Sequence, residues 1–338
     1  MPTYYVDGAV GNNGNLGTSE GAGNAWATIQ YAVTNSSAGD QIYIKASADY
    51  TEGVTLTAGT AAAWKTFTGY TSTPGDGGKA TVDATGYSYG IDFPGFANSY
   101  IRLENIIVEN GTSGGTEASA TGYVAYDNCE ANNNGYDGFG SGPNYATYLN
   151  CSADGNTHDG FVVNNPAALA FCASTGNGGD GFFGGSHTAL VGCVATSNAG
   201  DGISIRVLCA ANCTIDGDGD DTDIGINIGE YPSLIINNIV YDCTTGIAGT
   251  SGFGGDIVSN NLLYANSTNF SNVENESNNL TTDPPAFTDE AGGNYTLASG
   301  SAAKNAGADA SGTSSPGMDI GAHQSADAGG GSRVIITG

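Results

Sequence analysis

Positive charge is what this chain has least of. It carries 7 Lys and Arg against 34 Asp and Glu, a net charge of -27. Such a surface repels nucleic acid and anionic membranes. It also repels anionic polysaccharides unless bound cations bridge the two. No apolar run approaches the roughly 18 residues of a membrane span. The opening Met1-Pro2-Thr3-Tyr4-Tyr5-Val6-Asp7 has no basic stretch followed by an apolar core, so it does not read as a secretory signal peptide. Folding in the cytoplasm, or a trimmed mature form, is expected. An even cysteine count is missing too: seven cysteines cannot all pair within one chain.

What is present is a repeat. Cys129, Cys151, Cys172, Cys193 and Cys213 recur at steps of 22, 21, 21 and 20 residues. Ile106 and Val108 before this block, and Ile239/Tyr241 and Leu262/Tyr264 after it, extend the pattern at steps of 23, 26 and 23. A second ladder runs in phase. Asp137-Gly138, Asp159-Gly160, Asp180-Gly181 and Asp201-Gly202 recur, each with an Asn three residues earlier: Asn134, Asn156, Asn177 and Asn198.

A period just above 20 residues has room for three short strands and three turns per coil, with alternate side chains inward. Coils stacked about 4.8 Å apart would pile equivalent residues into columns of Cys, Phe and Asn, the Asn column hydrogen-bonding along its length. The pattern predicts an all-β fold, a right-handed single-stranded parallel β-helix. The Asn and Asp-Gly positions are expected to be turns with positive φ. One Cys per coil suits a column of small buried groups better than a metal site. Stacked parallel thiols suit disulfides poorly.

The organisation expected is an N-terminal strand and capping helix (1–40), the β-helix (41–280), a closing segment (281–324) and a Gly-rich linker with a terminal strand or tail (325–338). The cap is the helically spaced Asn24 to Val33. The tail is expected to fray or to join a partner's sheet edge.

Four stretches carry a family resemblance: Tyr4-Tyr5-Val6-Asp7, Trp26-Ala27-Thr28-Ile29-Gln30, Gly39-Asp40-Gln41-Ile42-Tyr43-Ile44 and the closing Asp319-Ile320-Gly321-Ala322-His323. With the coils, they make the chain resemble the pectate-lyase-like right-handed parallel β-helix superfamily with PbH1-type repeats. That superfamily includes lyases, hydrolases, binding proteins and phage tailspikes, so the resemblance implies fold more than activity.

Its lyases pair acidic Ca²⁺ ligands with a basic residue that abstracts a proton. Here Asp180, Asp201, Arg206 and His187 are weak catalytic candidates that could share a face. The polygalacturonase motifs are not matched by His158-Asp159 or by His187 between Ser186 and Thr188. The repeating Asp column reads as structural, because a catalytic pair breaks symmetry. Its stacked charges call for splaying into solvent or for cations. The best metal candidate is the acidic stretch Asp216, Asp218, Asp220 and Asp223, which resembles half of a Ca²⁺ loop. Tyr123, Tyr126, Tyr136, Tyr145, Tyr148 and Phe183 could offer sugars a stacking surface.

Two functions fit. One is a non-catalytic structural or binding protein of a virion surface, as head decoration or tailspike-like. It would assemble in the cytoplasm, form homo-oligomers such as trimers, contact capsid or tail proteins and surface glycans, and neither bind nucleic acid nor insert into membranes. The alternative is an extracellular polysaccharide lyase or glycoside hydrolase.

Overall fold

The computed structural model describes residues 2–93, 99–118, 121–140, 144–217, 224–230, 232–250, 255–308 and 318–322. The expected tail at 325–338 lies outside them. The fold class is as expected: an all-β, right-handed parallel β-helix of about nine turns with almost no helix. The chain forms two compact units, Met1–Ala167 and Ala168–Gly338.

In the first unit each coil contributes three strands. Tyr89–Phe93, Ile101–Glu104 and Ile106–Glu109 make one coil. Gly114–Ala118, Thr121–Asp127 and Glu130–Asn132 make the next. Asp137–Phe139, Asn144–Leu149 and Ser152–Asp154 make a third. Each strand pairs in parallel with its counterpart one coil on, as Ala131 does with Val108 and Ala153. The second unit repeats the scheme in Ile224–Ile228, Leu234–Ile236 and Ile239–Tyr241.

The expected columns are there. Asn156 Oδ1 accepts from the Asn134 backbone N–H at 3.0 Å and from its Nδ2 at 2.9 Å, while Asn156 Nδ2 donates to Ala131 O at 2.9 Å. In the second unit Asn198 Oδ1 accepts from Asn177 Nδ2 at 2.8 Å. All seven cysteines are free thiols, six of them buried.

Two sequence expectations need correction. The first concerns register after Cys213. Ile239 pairs with Thr214, not Cys213, so the residue facing Cys213 is Asn238. There the thiol column gives way to a second ladder, in which Asn238 Nδ2 donates to Asn261 Oδ1 and Asn261 Nδ2 to Asn279 Oδ1, both at 3.0 Å. The second concerns the turns. Positive φ falls on the residue before each buried cysteine, such as Asn128 (53°), Asn150 (52°) and Asn212 (53°), and on Asn133 (53°) before the ladder. The ladder asparagines and the Asp-Gly glycines are not left-handed. Gly138 is needed for room instead: a Cβ there would lie 2.7 Å from Asn156 Nδ2.

The capping helix is Ile29–Asn35, shorter and later than the 24–33 expected. Trp26 is held instead by a parallel bridge to Val6 and by stacking on Tyr4 at 4.7 Å. Thr28 caps the helix through its hydroxyl, and the Glu52 carboxylate takes the N–H groups of Ile29 and Gln30 at 2.7 and 2.9 Å. The fully buried Lys65 donates from Nζ to Val33 O, Ser36 O and Thr57 Oγ1 at 2.9, 3.1 and 2.7 Å. Burial lowers its pKa to about 8. In the second unit an antiparallel pair, Phe287–Asp289 with Asn294–Leu297, belongs to a segment that lies along the flank of successive coils. Tyr295, Leu297, Ala303 and Ile320 pack there on Ile239, Tyr241 and Leu262.

Candidate functional site

The Asp column is structural. Asp137 Oδ1 accepts the backbone N–H of Asp159 at 3.1 Å, and Asp180 Oδ1 accepts that of Asp201 at 2.8 Å. Asp201 Oδ1 accepts from Ile224 N and its Oδ2 from Asn227 Nδ2. Asp137 and Asp159 are only 7% and 5% exposed. The carboxylates of Asp137, Asp180 and Asp201 therefore do not splay freely into solvent, because each is anchored on a main-chain N–H of the next coil.

Against this regular background, one corner of the first unit departs from the repeat. His158 sits just before the Asp159-Gly160 turn, with Nδ1 2.9 Å from Asp137 Oδ1 and 3.2 Å from Asp159 Oδ2. Its ring stacks flat on Tyr136, with centroids 4.4 Å apart and planes at 6°. Tyr136 is 49% exposed. His158, Asp137 and Asp159 are the residues of this corner that could hold a metal ion.

Two more carboxyl groups join from the preceding coils. Glu117 on Gly114–Ala118 faces Asp92 on Tyr89–Phe93 in register. The neighbouring inward residues Ile91 and Thr116 are buried, and Asp92 and Glu117 face outward, half-buried. One coil on, this outward column is emptied by Gly140, where a Cβ would stand 3.6 Å from Asp137 Oδ2. Beyond it comes Val162. The Tyr89 ring leans over Gly114.

Burial, then the charges of Asp92 and Asp137, push the Glu117 pKa up. Burial raises that of Asp92. Burial and the same three carboxylates raise the Tyr89 phenol. Among the described residues, no Lys or Arg of the unit neutralises the cluster. Lys45 pairs with Asp7, Lys79 with Glu130 and Arg102 with Glu104, and Lys65 is buried against the helix. Two carboxyl groups held towards protonation beside a third that stays hydrogen-bonded to a backbone N–H can divide proton-donor and proton-acceptor roles.

Of the catalytic candidates read from the sequence, the structure joins Asp180 and Asp201 through one hydrogen bond. His187 (φ 63°) and Arg206 are exposed on Phe182–Val191 and Ile203–Ala211. They lie where the register of these strands shifts, between the pairs Gly184↔Ile205 and Thr188↔Val207. Asp216 is buried and accepts from Tyr295 Oη at 2.8 Å, tying the closing segment down. Asp218, Asp220 and Asp223 lie outside the described residues. Of the aromatic candidates, Tyr126 and Tyr148 are core residues stacked on each other at 4.7 Å. Tyr123, Tyr136, Tyr145 and Phe183 are exposed.

Sequence reasoning missed Asp92 and Glu117. The available signal was acidic residues on β-patterned strands at a 25-residue step, Gly-Ile-Asp-Phe and Gly-Thr-Glu-Ala.

The fold is a right-handed parallel β-helix, and solved structures share it. The crystal structure of pectate lyase Pel9A matches with a TM-score of 0.65 at 17% identity, covering 95% of this chain and 96% of that one. The alginate lyase from Paenibacillus sp. str. FPU-7 matches with a TM-score of 0.50 at 14% identity, covering 75% and 95%. No protein-family model matches the sequence, and no curated protein does.

Proposed function

We propose that the chain is an extracellular enzyme that cleaves a polysaccharide on the outward face of its first unit, with Glu117 and Asp92 as the acid–base pair. The structural neighbours favour this reading over a virion-surface protein. The observation that carries it is the register pair Asp92–Glu117. It occurs once in an outward column that continues as Gly140 and Val162, and it faces solvent beside exposed aromatic rings. Glu117, whose pKa burial and its two carboxylate neighbours raise, donates a proton to the leaving glycosidic oxygen. Asp92, in its ionised form, takes a proton from the water whose oxygen bonds to the anomeric carbon as the glycosidic bond breaks. Tyr89 and Tyr136 give the sugar rings flat apolar surfaces on either side of the gap over Gly114 and Gly140.

The test is incubation with a panel of neutral and uronate polysaccharides, following reducing ends. Glu117→Gln should lower the rate by about 10²–10⁴-fold, the usual worth of a positioned acid. An unchanged rate, or no turnover on any polymer, overturns the assignment. A second reading, β-elimination, is favoured by the lyases among the neighbours and by exposed Arg206 beside His187 in the second unit. Unsaturated products in the same incubations, abolished by Arg206→Ala and spared by Glu117→Gln, would establish that reading instead.

A further inference from the structure

We propose that Asp137, His158 and Asp159 form a binding site for a divalent transition ion of the Zn²⁺ class. The donor atoms are already gathered, one from each residue and all within 4.8 Å of one another. The two carboxylate oxygens lie 2.9 and 3.2 Å from the imidazole Nδ1, the spacing of neighbouring ligands around a small ion. The flat Tyr136 ring fixes the imidazole plane, so the nitrogen stays turned towards the carboxylates. Such orientation from outside the coordination sphere is what preformed metal sites require.

Charge argues in the same direction. Asp137 and Asp159 are almost buried, and the Asp92 carboxylate of a preceding coil adds to the negative field. All four basic residues of the first unit are engaged elsewhere. A divalent ion would bring two positive charges to this cluster.

The coil itself does not need His158. Equivalent positions before the Asp-Gly turn hold Tyr136, Gly179 and Gly200. The two aspartates recur as backbone acceptors, and only the histidine is added.

The donor set selects the ion. One imidazole nitrogen with two carboxylate oxygens suits Zn²⁺, Co²⁺ or Ni²⁺, while Ca²⁺ takes six to eight oxygens. Three protein ligands leave a coordination position for water or for an oxygen of a bound molecule. The site is distinct from the cleavage pair, since Glu117 and Asp92 are not among its ligands, but it borders that pair through Asp137 and Tyr136.

The test is calorimetric titration of the chelator-treated full chain with Zn²⁺ and with Ca²⁺. One Zn²⁺ should bind and resist displacement by excess Ca²⁺. His158→Gln should weaken binding by at least about tenfold, the loss seen even for supporting residues of metal sites. His187→Gln should leave it unchanged. Zinc-edge absorption of the loaded wild type should show one imidazole and no sulfur, a readout that survives if the variant misfolds. Absence of Zn²⁺ binding, binding indifferent to His158→Gln, ready displacement by Ca²⁺ or a sulfur-rich spectrum would each overturn the site. Failure of cleavage would not.

Discussion

At the scale of single residues, environment rather than identity separates the acids of this chain. Asp137 and Glu117 lie one coil apart, yet the first is anchored on a backbone N–H and the second is raised by burial and by its neighbours. The raised pKa has a sign that can be worked out. The native state holds the Glu117 proton above the ordinary Glu value near 4.3. Between that value and the raised one, it binds more protons than the unfolded chain. Stability from this group is therefore present at acid pH and lost as pH rises through the window. Glu117→Gln should melt higher than wild type at neutral pH, and the gap should close as pH falls towards 4. The same substitution that removes activity should thus stabilise the fold, as strained functional positions often do. Melting curves of both proteins from pH 4 to 8 check this. Equal melting temperatures at neutral pH would refute it.

At the scale of the repeating element, side-chain amides tie the coils together. Asn156 serves the Asn134 N–H and the Ala131 carbonyl at once. Asn156→Ala would take the acceptor from the buried Asn134 N–H and Nδ2, each costing about 1–3 kcal/mol. A loss of roughly 2–6 kcal/mol in a urea melt is expected. Asn110→Ala, whose Nδ2 reaches exposed Asp83, should cost far less.

This scale also shows what the sequence could reveal. The Cys and Asn columns were legible because they repeat in phase over four coils. Asp92 and Glu117 are hard to see in the sequence because their outward column does not repeat an acid: it continues as Gly140 and Val162. The slip at Ile239 came from counting along the chain across the long coil after Cys213, when the ladder keeps register through Asn238. The helix was placed too early because Trp26 looks like a helical apolar position but is spent on Tyr4 and Val6. His158 was visible, but its partner Asp137 becomes a neighbour only once coils stack.

At the scale of the whole molecule, the thiols offer a census of integrity. Six of the seven cysteines are buried and Cys209 is partly accessible. Burial raises the Cys209 pKa as well, so even this thiol should react slowly. A thiol reagent on native protein should label one site, Cys209, and label all seven after denaturation. Mapping the labelled peptide checks this. Fast labelling of Cys151 or Cys193 would mean that the coils open.

The asparagine ladders also bear on how the protein ages. Asn134-Gly135 and Asn177-Gly178 are sequences that deamidate readily in flexible chains, because the next N–H can attack the amide. Here each amide is locked between coils and donates to its neighbour at 2.9 or 2.8 Å, so the attacking geometry is out of reach. Exposed Asn110, followed by Gly111, has no such lock on its own backbone. Chemical wear should therefore begin at that surface corner. Once a coil opens and a ladder amide becomes a carboxylate, a buried negative charge stands where a hydrogen-bond donor did. For this solenoid, local opening would then become a lesion that refolding does not erase.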